Sequence, residues 1–235
     1  MSNVNPARAH RQRVLAAMRG EKDEVPDARA ETQYELMLLQ LAEHRRRLKQ
    51  IQSIERKIEV KRQFLPEYEP YVQGVLQSNS GRQDDVLMTV LVWYIDTGDI
   101  LSALDVANYA LRHDMQTPDR YARSTACLVA EEIADTALKL MDSENAVSAA
   151  LLGQAIALTE EHDMFDQVRA RLLKAYGMTL AKSGRQTEAV EPLKRALELD
   201  ERSGVKKLIE QTEREIKKNS VTPNEPAAEP EQPES

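Results

Sequence analysis

The sequence predicts an all-α protein, and three observations carry that reading. Aromatics make up only 4% of 235 residues and glycine occurs 8 times, while Ala, Leu, Glu, Lys, Arg and Gln, all good helix formers, dominate. Almost no run shows the β-branched, period-two alternation of a strand. Apolar residues instead recur every three or four positions, most clearly between Gln83 and Asp114.

That stretch reads as a tight helical hairpin. Val86, Leu87, Val90, Leu91 and Tyr94 line one helix, and Gly98 then breaks the pattern, as suits the left-handed position past a helix end. Asp99 is a natural N-cap for a second stripe through Ile100, Leu101, Leu104, Ala107, Ala110 and Leu111. Ala103, Ala107 and Ala110 are small enough for close helix approach.

Ahead of it, Pro6 opens a short helix to Gly20 that carries Arg8, Arg11, Arg13 and Arg19, followed by a charged link. From Asp27, a candidate N-cap, one helical pattern runs to Leu65 and is expected to stop at Pro66. Tyr34, Met37, Leu38, Leu41, Leu48, Ile51, Ile54, Ile58 and Leu65 keep its three-four spacing. Such a helix would span about 55–60 Å, too long for a small body to cover, so a coiled-coil-like stalk that gathers copies of the chain is expected. Pro66 and Pro70 are expected to frame a turn before a short helix over 71–77.

Beyond the hairpin, helices are expected over Ser124–Met141, over Glu144–His162 behind a Ser143 cap, over Asp166–Lys182, over Thr187–Arg202 and over Val205–Lys218. Pro192 should delay or bend its helix. At an offset of 86 residues Gly98 falls on Gly184, Ala103 on Ala189, Ala110 on Ala196, Leu111 on Leu197 and Asp114 on Asp200. This spacing resembles a tetratricopeptide repeat. The division is therefore a basic segment 1–26, a long helix 27–65 for oligomerisation and DNA binding, a helical-hairpin body 66–218, and a disordered acidic tail 219–235.

Net charge is −7, but unevenly spread. Residues 1–65 hold 14 Lys and Arg against 9 Asp and Glu, a balance of +5, which leaves −12 for the remainder. The basic run Arg45, Arg46, Arg47, Lys49, Arg56, Lys57, Lys61 and Arg62, with Arg8, Arg11 and Arg13, is the candidate surface for DNA phosphates, and its arginine excess favours that over a merely solvated face. Asp84, Asp85, Asp96 and Asp99 form the densest acid group; caps and helix-dipole partners explain them better than a cation site, so no catalytic residue or metal is expected. Were the chain a nuclease, those four acids and Mg²⁺ would have to do the work. The four histidines show no ligand spacing, and there is no GxxxxGK[ST] loop for ATP. Trp93 reads as packing and Cys127, the single cysteine, as a buried thiol in a reducing cytosol. No stretch approaches the ~18 apolar residues of a membrane span.

The run Gln83-Asp84-Asp85-Val86-Leu87-Met88-Thr89-Val90, with Trp93 and Asp96-Thr97-Gly98-Asp99, resembles the GpM-type terminase small subunit of Peduovirus-like tailed phages and prophages. The likeness continues through Tyr34, Glu35, Met37, Ala103-Leu104, Tyr109-Ala110-Leu111, Glu131-Glu132, Val168–Leu172 and Gly204–Lys207. It implies recognition of the cohesive-end site on phage DNA in the host cytoplasm, and presentation of that site to the large, ATP-hydrolysing terminase subunit. The family is conventionally labelled an endonuclease subunit. The residues favour a non-catalytic DNA-binding subunit, with any DNA contact left to the N-terminal third because the tail is acidic.

Overall fold

The computed structural model describes residues 5–19, 28–117 and 123–221, with the side chains of 220 and 221 excepted. The expected Asp27 cap, the charged link and nearly all of the acidic tail lie outside the described residues. The chain order is α1 (Pro6–Met18), α2 (Ala28–Lys49), α3 (Ile54–Ser78), α4 (Asp85–Thr97), α5 (Ile100–Arg112), α6 (Thr125–Leu140), α7 (Ala149–Thr159), α8 (Asp166–Lys182), α9 (Gln186–Leu199) and α10 (Lys206–Val221). No strand occurs among the described residues, in keeping with the all-α expectation.

The expected stalk is the principal correction. The helix stops at Lys49, and Ser53, the last residue of a four-residue turn, caps a new one, its Oγ accepting from the Arg56 amide at 3.3 Å. Helix α3 folds back across α2 instead of prolonging it: Gln40 donates to Glu67 at 2.8 Å, and His44 meets both Phe64 and Tyr68. Pro66 and Pro70 do not end α3 but lie inside it, together with the short helix expected over 71–77. They stand one turn apart on a partly exposed face, so the carbonyls of residues 62 and 66, which lose their amide partners, are on the wetter side. The opposite face buries Phe64, Tyr68, Tyr71, Val72 and Val75. At roughly 1.5–3 kcal/mol for each large apolar side chain, that burial outweighs the proline penalty of about 3 kcal/mol.

Helix α3 then runs antiparallel to α4, matching Lys61 to Asp96, Tyr68 to Trp93 and Tyr71 to Asp84. Helix α1 lies on the C-terminal half of α3, where Gly74 permits the approach: a Cβ there would stand 2.2 Å from the Arg13 carbonyl oxygen. One large core joins α1 through α8, and a smaller one made by Ala149, Leu180, Ala189, Leu193, Val205 and Ile209 joins the start of α7 and the end of α8 to α9 and α10.

The two hairpins turn alike. Gly98 and Gly184 take φ of 83° and 78°. The amides of Gly98 and Asp99 donate to the carbonyls of Ile95 and Tyr94, and those of Gly184 and Arg185 to Ala181 and Leu180, the same pattern 86 residues on. Ala103, Ala110, Ala189 and Ala196 are all fully buried. Two further expectations change. Helix α7 starts at Ala149 under a Ser148 cap, not at Glu144 under Ser143. Helix α9 begins ahead of Pro192 and passes through it.

Two predictions follow from this packing. Gly74→Ala forces α1 away from α3, costing about 1–3 kcal/mol of stability in a denaturant titration, with helical circular dichroism retained. For His44, burial is the largest cause of a lowered pKa; Arg47 adds to it, and Glu67 and Glu43 oppose it. The unfolded chain therefore takes up this proton first as the pH drops. The contribution is fully present above the ordinary histidine value of about 6.5 and is lost below it. Denaturation midpoints should fall on acidification through that value, and fall less steeply in His44→Gln.

Candidate nucleic-acid interface

The basic run is shaped by the elbow between α2 and α3. Gln50 and Ile51 close the turn by donating to the carbonyls of Arg47 and Leu48, both at 3.2 Å. Ile51 is half-buried against the main core. Beneath the turn, the rings of His44 and Phe64 stack at 3.7 Å, and the Arg47 guanidinium covers Phe64 at 4.8 Å. His44 Nδ1 and the Tyr68 hydroxyl share a hydrogen bond of 2.8 Å. An aromatic, hydrogen-bonded wedge thus fixes the angle at which the two helices meet.

Three of the expected DNA-binding residues turn towards the body. Arg45 donates to Thr89 Oγ1 at 2.8 Å, Lys61 pairs with Asp96, and Arg62 donates to the Thr97 carbonyl at 3.0 Å. Arg46, Lys49, Arg56 and Lys57 remain on the surface of the elbow. Arg46 and Arg56 hold only i,i+3 pairs, with Glu43 and Glu59, and both side chains stay mostly exposed. Pairs of that kind are worth a few tenths of a kcal/mol and yield readily to a phosphate.

Arg8 and Arg11 are exposed on α1 and Arg13 is half-buried beside His10. They are not brought to the elbow. The Arg13 carbonyl sits at Gly74, eighteen residues along α3 from Arg56, or about 27 Å. The structure therefore divides the expected basic surface into a compact elbow and a separate α1 face.

The four acids are dispersed too. Asp84 is fully buried and caps α4, accepting from the Leu87 amide at 2.8 Å, from Arg19 Nη1 at 2.9 Å and from the Tyr71 hydroxyl at 2.5 Å. Burial pushes its carboxyl above the ordinary carboxylate range, while Tyr71, the Leu87 amide and the Arg19 charge pull against that. Burial likewise raises the Tyr71 hydroxyl, and the neighbouring Asp84 charge adds to it. Asp85 is exposed in the first turn of α4, Asp96 pairs with Lys61, and Asp99 caps α5 by accepting from the Ser102 amide at 3.2 Å. Asp85 and Asp96 stand at opposite ends of α4, about 16 Å apart along its axis, so the four do not fit one shared Mg²⁺. Among the described residues no group of three or more His, Cys, Asp or Glu is placed to hold a metal.

Sequence reasoning missed the partnership of Arg19 with Asp84. Arg19 also lies over the Tyr34 ring at 3.5 Å, while Arg82 pairs with Glu31 at 2.5 Å and donates to the Arg19 carbonyl at 3.0 Å. The signal available was an arginine ending a short helix and a QDD run opening another. Nothing in their spacing joins residues 65 positions apart.

These features define an all-helical protein with a cluster of exposed cations at the α2–α3 elbow and with Asp84 and Asp99 used as helix caps. The chain belongs to the phage small terminase subunit family, proteins of viral DNA packaging, whose pattern matches residues 38–167. It is 42% identical over 214 residues to the "Terminase, endonuclease subunit" of Escherichia phage P2, covering 91% of this chain and 86% of that protein. It is 24% identical over 168 residues to the "Probable terminase, endonuclease subunit" of Haemophilus phage HP1, covering 66% of this chain and 60% of that one. A shorter match, to the ribonuclease HII N-terminal domain, spans residues 182–221, little more than α9 and α10. No solved structure matches the chain. No helix among the described residues is long and apolar enough to cross a membrane.

The geometry predicts an asymmetry among the acids. Asp84→Ala strands a buried arginine and should cost about 3–5 kcal/mol, whereas Asp99→Ala removes only a cap, at about 1 kcal/mol. Equilibrium unfolding of the two variants measures the difference directly.

Proposed function

We propose that the α2–α3 elbow grips the backbone of duplex phage DNA, and that the helical body presents the bound DNA to the large, ATP-hydrolysing terminase subunit in the host cytoplasm. The observation that supports this best is the fold-back itself. It brings Arg46, Lys49, Arg56 and Lys57 from two helices to one end, with Glu55 the one acid between Lys49 and Lys57. The chain beyond residue 65, acidic tail included, carries −12 and repels a polyanion, so the charge distribution directs DNA to the elbow. Contacts of this type are to phosphates and carry no base sequence.

Two further parts complete the reading. Leu36 and Leu39 are 54% and 67% exposed on one side of α2, away from the seam of Met37, Leu41 and Leu48 that faces the core. We assign this stripe to pairing between copies of the chain, which would multiply phosphate contacts without new chemistry. The α4–α5 and α8–α9 hairpins, taken as a tetratricopeptide-like pair, would offer the surface for the large subunit. Cleavage of the DNA is assigned to that partner, because the acids of this chain are used as caps and ion pairs.

Fluorescence anisotropy with a duplex at low salt tests the assignment. Affinity should fall with salt at a slope of about 0.9 per phosphate contacted. Replacing Arg46, Lys49 and Lys57 together by glutamate should flatten that slope by about two to three units and weaken binding at least tenfold. Binding that ignores this triple change, or no binding at low salt, would remove the elbow as the DNA contact.

A further inference from the structure

We infer that the elbow also deforms the duplex it holds: Ile54 enters the minor groove as a wedge and partly unstacks one base step. This rests on the reading that the elbow binds DNA, and it names what the tip does once bound.

The tip consists of Gln50, Gln52, Ser53 and Ile54, all exposed, and Ile54 is 67% exposed. The isoleucine there is not part of the core. It is the first residue of α3, directly after the Ser53 cap, and Ile51 already anchors the turn to the core. A single exposed apolar side chain is ordinary on a protein surface. This one stands at the elbow, where the other exposed side chains are cations, amides, Ser53 and Glu55. Arg46 and Lys49 come from the end of α2 and Lys57 lies one turn along α3, while Arg56 occupies the flank and holds Glu59 at 2.6 Å. Glu55 is the one acid within the tip, on the position next to Ile54.

That combination has a specific chemistry. Proteins that kink DNA from the minor groove use an apolar wedge to open a base step, amide and cationic side chains to read the groove, and flanking cations to hold the bent backbone. The stacking lost at the step is offset by phosphates that the bend brings within reach of the flanks. A wedge must also be stiff. Ile54 is β-branched, with few χ1 states, and the elbow beneath it is set by the His44–Phe64 stack and the His44–Tyr68 hydrogen bond.

The experiment uses the full chain and duplexes carrying 2-aminopurine at successive steps, with donor and acceptor dyes at the ends to report bending. Wild type is expected to raise 2-aminopurine fluorescence at one step and shorten the end-to-end distance. Ile54→Ser should keep the salt slope and stay within about threefold in affinity, yet lose both signals, while Ile54→Leu restores them. Tight binding that is lost with the Arg46, Lys49 and Lys57 reversal but leaves every step stacked overturns the wedge alone. Unstacking that survives in Ile54→Ser overturns it equally. Binding indifferent to the charge reversal removes the elbow reading and the wedge with it.

Discussion

Beneath the surface where four helix ends meet, Arg19 and Asp84 form an ion pair almost sealed from water, with side chains 9% and 0% exposed. Such a pair is costly to desolvate and holds only when its remaining donors and acceptors are answered. Here most of them are: the Asp84 oxygens also take the Tyr71 hydroxyl and the Leu87 amide, and Arg19 lies on Tyr34 with its Nε, which makes no hydrogen bond, 3.6 Å from Glu31 Oε2. Each partner comes from a different element, so the pair specifies where α1, α2, α3 and α4 end relative to one another. A slip of α1 by one turn would leave a charge buried alone.

From that junction α3 carries the arrangement to the elbow. It is held near its C-terminal end by Tyr71 on Asp84, midway by Tyr68 and Phe64 against Trp93, and near its N-terminal end by Lys61 and Arg62 on α4. One basic run is thus divided between two tasks. Cations on the inner face of α2 and α3 tie the elbow to the acidic body, and those on the outer face stay exposed. Shape follows the same division, since the residues that orient the elbow are not those it presents. The outcome is a localised positive surface on a chain that is negative overall.

Local chemistry was legible and long-range chemistry was not. Gly98 and Gly184, the buried alanines after them and the cap at Asp99 could be read directly, because a left-handed turn or a cap depends on a handful of neighbouring atoms. Asp84 was correctly taken as a cap, but its second role, as the partner of Arg19, depends on a residue in another helix. The elbow was missed because the apolar spacing through Ile51, Ile54 and Ile58 continues unbroken. The match of His44 to Phe64 and Tyr68 in the other helix favours a fold-back over a continuous rod. Pro66 and Pro70 misled for a related reason: their local penalty is real, but the aromatic face behind them outweighs it once there is a core to enter.

By itself the amino-acid sequence determined the helical class, the two glycine-turned hairpins, the segregation of positive from negative charge and the family. All of these depend on composition, on spacing within a few turns, or on residues compared one by one. The tertiary structure alone decided which arginines face water, which acids are sealed away, and where the long helix breaks. Those outcomes depend on burial, and whether a side chain is buried is set by elements distant in the chain, through desolvation and packing that no local pattern encodes.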